Sequence, residues 1–95
     1  MSSYRPQEVA SALQRKGFER DKSHHFMFWL VVNGKRTSIR TRYSHSDRQI
    51  EAGRIGQMSK QMKLSKRQFE DFVDCRLSGE SYAQMLIAAG DVSGL

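Results

Sequence analysis

Residues 26–43, FMFWLVVNGKRTSIRTRY, decide the fold. An apolar run from Phe26 to Val32 meets Asn33-Gly34, and a second run rich in β-branched residues continues to Tyr43. Asn-Gly between two such runs predicts a tight hairpin, because a type I′ turn needs positive φ at both central residues. If Val32 pairs with Lys35, each further pair steps outward by one residue on either strand, and side chains alternate between two faces. One face then holds His24, Phe26, Phe28 and Leu30 opposite Tyr43, Thr41, Ile39 and Thr37, and is the expected core. The other holds His25, Met27, Trp29 and Val31 opposite Arg42, Arg40, Ser38 and Arg36. Arginines interleaved with an aromatic are a common build for a nucleic-acid surface. The competing expectation is that C-terminal helices cover Met27 and Trp29, with arginine stems lying over them.

Outward from the hairpin, the elements follow from punctuation. Pro6 suits a first helical position, and Val9, Ala12, Leu13 and Lys16 recur at helical spacing. Gly17 is placed as a left-handed terminator, and a short strand from about Phe18 to Lys22 is expected next. Behind the hairpin, Ser46-Asp47-Arg48-Gln49 has capping-box form, ahead of Ile50, Ile55, Met58 and Met62. Gly53 and Gly56 weaken that helix and predict a kink or split. Ser65-Lys66-Arg67-Gln68 is a second capping box, opening a helix that buries Phe69, Phe72 and Val73. Leu77-Ser78 restarts the chain into a last helix carrying Tyr82, Met85, Leu86 and Ala89, ended by Gly90. The fold class expected is α+β, in the order α-β-β-β-α with additional C-terminal helices.

With 95 residues and 38% hydrophobic side chains, one small domain of two layers is expected over residues 1–95. The single cysteine, Cys75, excludes an internal disulfide, and no apolar run is long enough for a membrane span. A cytoplasmic protein with no membrane association is expected. The net charge of +6 is unevenly placed: residues 1–67 hold 15 Lys/Arg against 5 Asp/Glu, and residues 68–95 hold 1 against 5. A field of that kind attracts phosphate backbones or acidic proteins. His24, His25, His45 and Cys75 lack zinc-ligand spacing, so neither a metal nor a cofactor is expected.

"LQRKGFERDKSHHFMFW", "TSIRTRYSHSDRQI" and "GQMSKQMKLSKRQF" together resemble the HicA family of toxins from toxin–antitoxin pairs. That family has a Gly-Phe after its first helix, a Gly-Ser-His opening its second strand and a Pro-x-His near the end of its third. Here Lys22 stands in place of the glycine and Tyr43 in place of the proline. The resemblance covers about residues 9–70, and it implies a HicA-like core over 5–63 with residues 64–95 as a helical extension. It implies a double-stranded-RNA-binding-domain-like fold with a three-stranded antiparallel sheet. It also implies metal-independent endoribonuclease cleavage of single-stranded messenger RNA, and a HicB-like antitoxin protein as partner.

Ser23-His24 match the family's Ser-His, so the resemblance gives His24 the catalytic role, whereas straight alternation along the hairpin puts His25 on the arginine face. Both remain candidates. Either suits the chemistry, because RNA supplies its own 2′-hydroxyl nucleophile and histidine is the side chain that exchanges protons near neutral pH. Lys22, Trp29, Arg36, Arg40 and Arg42 are the expected RNA-binding residues, with arginines able to hold phosphate oxygens bidentately. Two other readings stand beside the nuclease: a non-catalytic RNA-binding module of the same fold, and a basic interaction protein for an acidic partner.

Overall fold

The computed structural model describes residues 3–24, 26–44 and 46–92. They form a small α+β domain in the order α1 (Pro6–Arg15), β1 (Phe18–Arg20), β2 (Met27–Val32), β3 (Lys35–Arg42), α2 (Ala52–Gln61), α3 (Lys66–Val73) and α4 (Gly79–Ala88). The strands make one antiparallel sheet, ordered β1-β2-β3. Asn33 and Gly34 both take positive φ, 53° and 77°, as the hairpin turn requires. Gly17, at φ 105°, ends α1 and turns the chain into β1.

The hairpin register is corrected beyond its first two pairs. Val32 faces Lys35 and Val31 faces Arg36, but Trp29 then faces Arg40, Phe28 faces Thr41 and Met27 faces Arg42. The irregularity lies between Trp29 and Val31, where Leu30 stands against Thr37, Ser38 and Ile39. Thr37 closes the gap: its hydroxyl donates to the Leu30 carbonyl at 2.8 Å and accepts the Ile39 amide at 3.1 Å. A shift of two residues conserves alternation. Phe28, Leu30, Ile39, Thr41 and Tyr43 therefore remain on the buried face, as expected.

All the buried sheet residues look toward the helices. Phe18 of β1 packs against Phe72 of α3 and Tyr82 of α4, with ring centroids 6.1 and 6.0 Å away, and those two rings meet at 5.3 Å. Burying side chains of this size contributes roughly 1.5–3 kcal/mol each. The Tyr82 hydroxyl donates to the Met62 carbonyl at 2.7 Å, so its polar end is satisfied. The Lys16 ammonium donates to the carbonyls of Phe72 and Leu77, fastening the end of α1 to the α3–α4 turn. Gly79 lies against that same point: a Cβ there would stand 2.7 Å from the Lys16 carbonyl oxygen.

The second capping box forms as read, with the Ser65 hydroxyl accepting the Gln68 amide and the Gln68 side chain accepting the Ser65 amide. The first does not. Ile50 is fully buried and forms an isolated bridge with Tyr4, which holds it extended, and α2 begins two residues later. Asp47 instead accepts the Ser44 amide at 2.9 Å and the Arg54 Nε–H at 2.8 Å. Gly53 and Gly56 do not divide α2, which is one α-helix from Ala52 to Gln61.

Candidate nucleic-acid interface

The sheet face turned away from the helices carries Glu19 on β1, Met27, Trp29 and Val31 on β2, and Arg36, Arg40 and Arg42 on β3. Trp29 is half-buried, and its contacts among the described residues are with Asp21, Arg36 and Arg40. The Arg36 and Arg40 guanidinium carbons lie 5.0 and 5.3 Å from its ring centroid. Cation–π attraction at that range holds both charges against the indole. Arg36 also meets Glu19 at 3.3 Å. Arg42, exposed, stands opposite Met27 at the far end of the row.

Asp21, whose amide donates to the Met27 carbonyl at 2.8 Å, organises this same end of the face from the β1 side. Its Oδ2 accepts the Trp29 Nε1–H at 2.8 Å, fixing the indole toward β1. Its Oδ1 accepts the backbone amides of Ser23 and His24, at 2.7 and 3.0 Å, which is the geometry of an Asx turn. The Trp29 hydrogen bond, followed by those two amides, holds the Asp21 carboxyl below its ordinary pKa. One carboxylate thus sets both the aromatic and the turn that carries the histidine.

His24 is exposed in that turn, its carbonyl accepting the Met27 amide at 3.0 Å. This corrects the expectation that it opens β2 on the core face: the strand begins at Met27, and Asp21 holds the residues before it in a turn. Lys22 is exposed in the same turn. His25 and His45 lie outside the described residues. His24 shares a cleft of about 610 Å³ with Arg42, Arg54, Tyr43 and Phe26. Burial raises the Tyr43 hydroxyl pKa, against the opposing effect of the Arg20 charge and hydrogen bond.

The structure therefore brings Trp29, Arg36, Arg40 and Arg42 onto one face, and joins His24 to the Arg42 end through the cleft. Asp21, Glu19 and Arg54 are members that sequence reading missed. Asp21 had a signal, an Asp two and three residues ahead of amides in a polar break between strands. Arg54 had none, since it reaches the cleft from α2 through Asp47. Among the described residues, no group of three or more His, Cys, Asp or Glu is arranged to hold a metal ion. No described helix is long and apolar enough to cross a membrane. Comparison with known protein families, curated proteins and solved structures gave no match.

Proposed function

We propose that this chain is a HicA-like endoribonuclease that cleaves single-stranded messenger RNA, and that its α-β-β-β-α order is a double-stranded-RNA-binding-domain-like fold. The observation that carries the reading is the cleft in which an exposed histidine, His24, stands with two arginines, Arg42 and Arg54, beside the arginine–tryptophan sheet face. His24 takes the proton from a 2′-hydroxyl, and that oxygen attacks the adjacent phosphorus. The bond to the 5′-oxygen breaks, leaving a 2′,3′-cyclic phosphate, and the departing oxygen takes up a proton. Arg42, exposed, faces the charge that builds on the phosphoryl oxygens, while Arg54, held by Asp47 at 2.8 Å, adds positive field from the wall of the cleft. Positioned acid–base help of this kind contributes roughly 10²–10⁴-fold, and the step requires no metal. Trp29, Arg36, Arg40 and Lys22 hold the strand on either side. An acidic HicB-like antitoxin would cover the same basic face.

The test is cleavage of single-stranded RNA by purified protein in excess chelator, with DNA of the same sequence as comparison. RNA cut and DNA spared is the expected result. His24→Ala and His25→Ala, made separately, then identify the base, and a loss of about 10²-fold or more is expected for His24→Ala while its melting temperature holds. Loss with His25→Ala alone would give the role to His25. Equal cutting of DNA, or full activity in both variants, sinks the mechanism.

A further inference from the structure

A groove of about 820 Å³ runs along α1 on the side away from the arginine–tryptophan face. Gln7, Ser11, Gln14 and Arg15 line it from α1, spaced so that one helix face presents them all. Arg20 from the end of β1 and Arg48 from the segment before α2 close the other side. Its lining carries three arginines and no carboxylate among the described residues. Phe26 and Tyr43 form the floor, with ring centroids 5.4 Å apart. These two residues also line the His24 cleft, so groove and cleft meet across one pair of rings.

The geometry points to this groove as a nucleotide subsite of single-stranded RNA, taking the nucleotide next to the scissile phosphate; this placement rests on the nuclease reading above. The half-buried Phe26 offers a ring on which a base stacks. Gln7 and Gln14 carry amides that both donate and accept, which is what reading a base edge requires. Arg15 and Arg48, both exposed, face the phosphates that flank that base. Arg15 makes its described contacts with the Ser11 carbonyl at 3.4 Å and the Cys75 sulfur at 3.8 Å, neither of them a carboxylate. A continuous track results: phosphate at His24, base on Phe26, next phosphate at Arg15 and Arg48.

The experiment measures binding of a mixed-sequence 2′-O-methyl oligoribonucleotide, which keeps bases and phosphates but has no free 2′-hydroxyl. Affinity is taken against salt for the parent, for Arg15→Ala/Arg48→Ala, and for Arg67→Ala/Arg76→Ala, which removes the same charge from exposed positions outside the groove. Two lost single-strand phosphate contacts flatten the logarithmic salt slope by about 1.4, equivalent to about 25-fold in affinity at 0.1 M salt. The control pair is expected to retain the parent slope. An unchanged slope in the groove variant, an equal fall in the control, or no binding by the parent overturns the subsite. If the groove slope falls as expected but the parent cuts no RNA, the nuclease reading fails and the groove stands as an RNA-binding site.

Discussion

Glu19→Gln is expected to strengthen RNA binding without changing the fold. Glu19 holds Arg36 at 3.3 Å, and the two side chains are 61% and 44% exposed. An ion pair that open to water is worth about 0–1 kcal/mol, so its removal shifts the melting temperature by no more than about 8 °C. Its effect on binding is larger, because a guanidinium committed to a carboxylate must leave it before it can take a phosphate. Freeing Arg36 adds one contact, steepening the salt slope by about 0.7 and raising affinity about 5-fold at 0.1 M salt. Long-range relief of Arg40 adds little. Glu19 pairs with Trp29, and Trp29 with Arg40, so two strand spacings, about 10 Å, separate the backbones. That is about one Debye length at 0.1 M salt. Arg40→Ala/Arg42→Ala is the opposite perturbation, expected to flatten the slope by about 1.4, and adding Glu19→Gln to it should restore half of that loss. Fluorescence anisotropy of a labelled RNA, titrated across a salt series, measures all four proteins. A parent-like slope in both Glu19→Gln and Arg40→Ala/Arg42→Ala would show that RNA does not lie on this face.

The Asp21 carboxyl, lowered by its bonds to Trp29, Ser23 and His24, holds the indole at every pH above its ordinary value and releases it only as pH falls through the lowered one. Tryptophan emission should therefore change on acidification with a midpoint below 3.8, the ordinary value for the group, and a midpoint at or above it refutes the contact. Gly79→Ala forces a methyl to 2.7 Å from the Lys16 carbonyl oxygen, where only backbone can yield. Overpacking of this kind costs about 1–3 kcal/mol, or roughly 4–8 °C per kcal/mol in a domain of this size, and an unchanged melting curve would show that α1 and α4 separate freely.

The strand faces were legible because alternation is insensitive to what the hairpin actually does. Asn33-Gly34 fixed the turn and the first two pairs, and the later slip of two residues leaves every side chain on its own face. Nothing in the apolar pattern marks that slip, since Thr37 supplies the missing partner through a hydroxyl rather than through a change of hydrophobicity. The arginine row was found for the same reason, and its Val31–Arg36 pair with it, but two later pairings were not: Trp29 meets Arg40 where straight counting put Ser38, and Met27 meets Arg42 where it put Arg40. The turn at His24 was not legible from alternation, because Ser23-His24 continue the strand pattern and only the Asp21 side chain interrupts it. Ser46-Asp47 read as a helix start on local chemistry alone. The bridge from Ile50 to Tyr4, 46 residues earlier in the chain, overrides it, and a window-based reading has no access to that partner.

The covering of only one side of the sheet separates two demands on the sequence. Phe28, Leu30, Ile39 and Thr41 answer to the core, while Glu19, Trp29, Arg36, Arg40 and Arg42 answer to whatever lies against the uncovered side. The two sets alternate along the same strands, yet a substitution in one set leaves the packing of the other in place. The uncovered side can therefore change its charge, its aromatic or its ligand preference through single substitutions, each tolerated by the folded chain. A library randomised at those five positions should consist mostly of folded proteins that differ in what they bind.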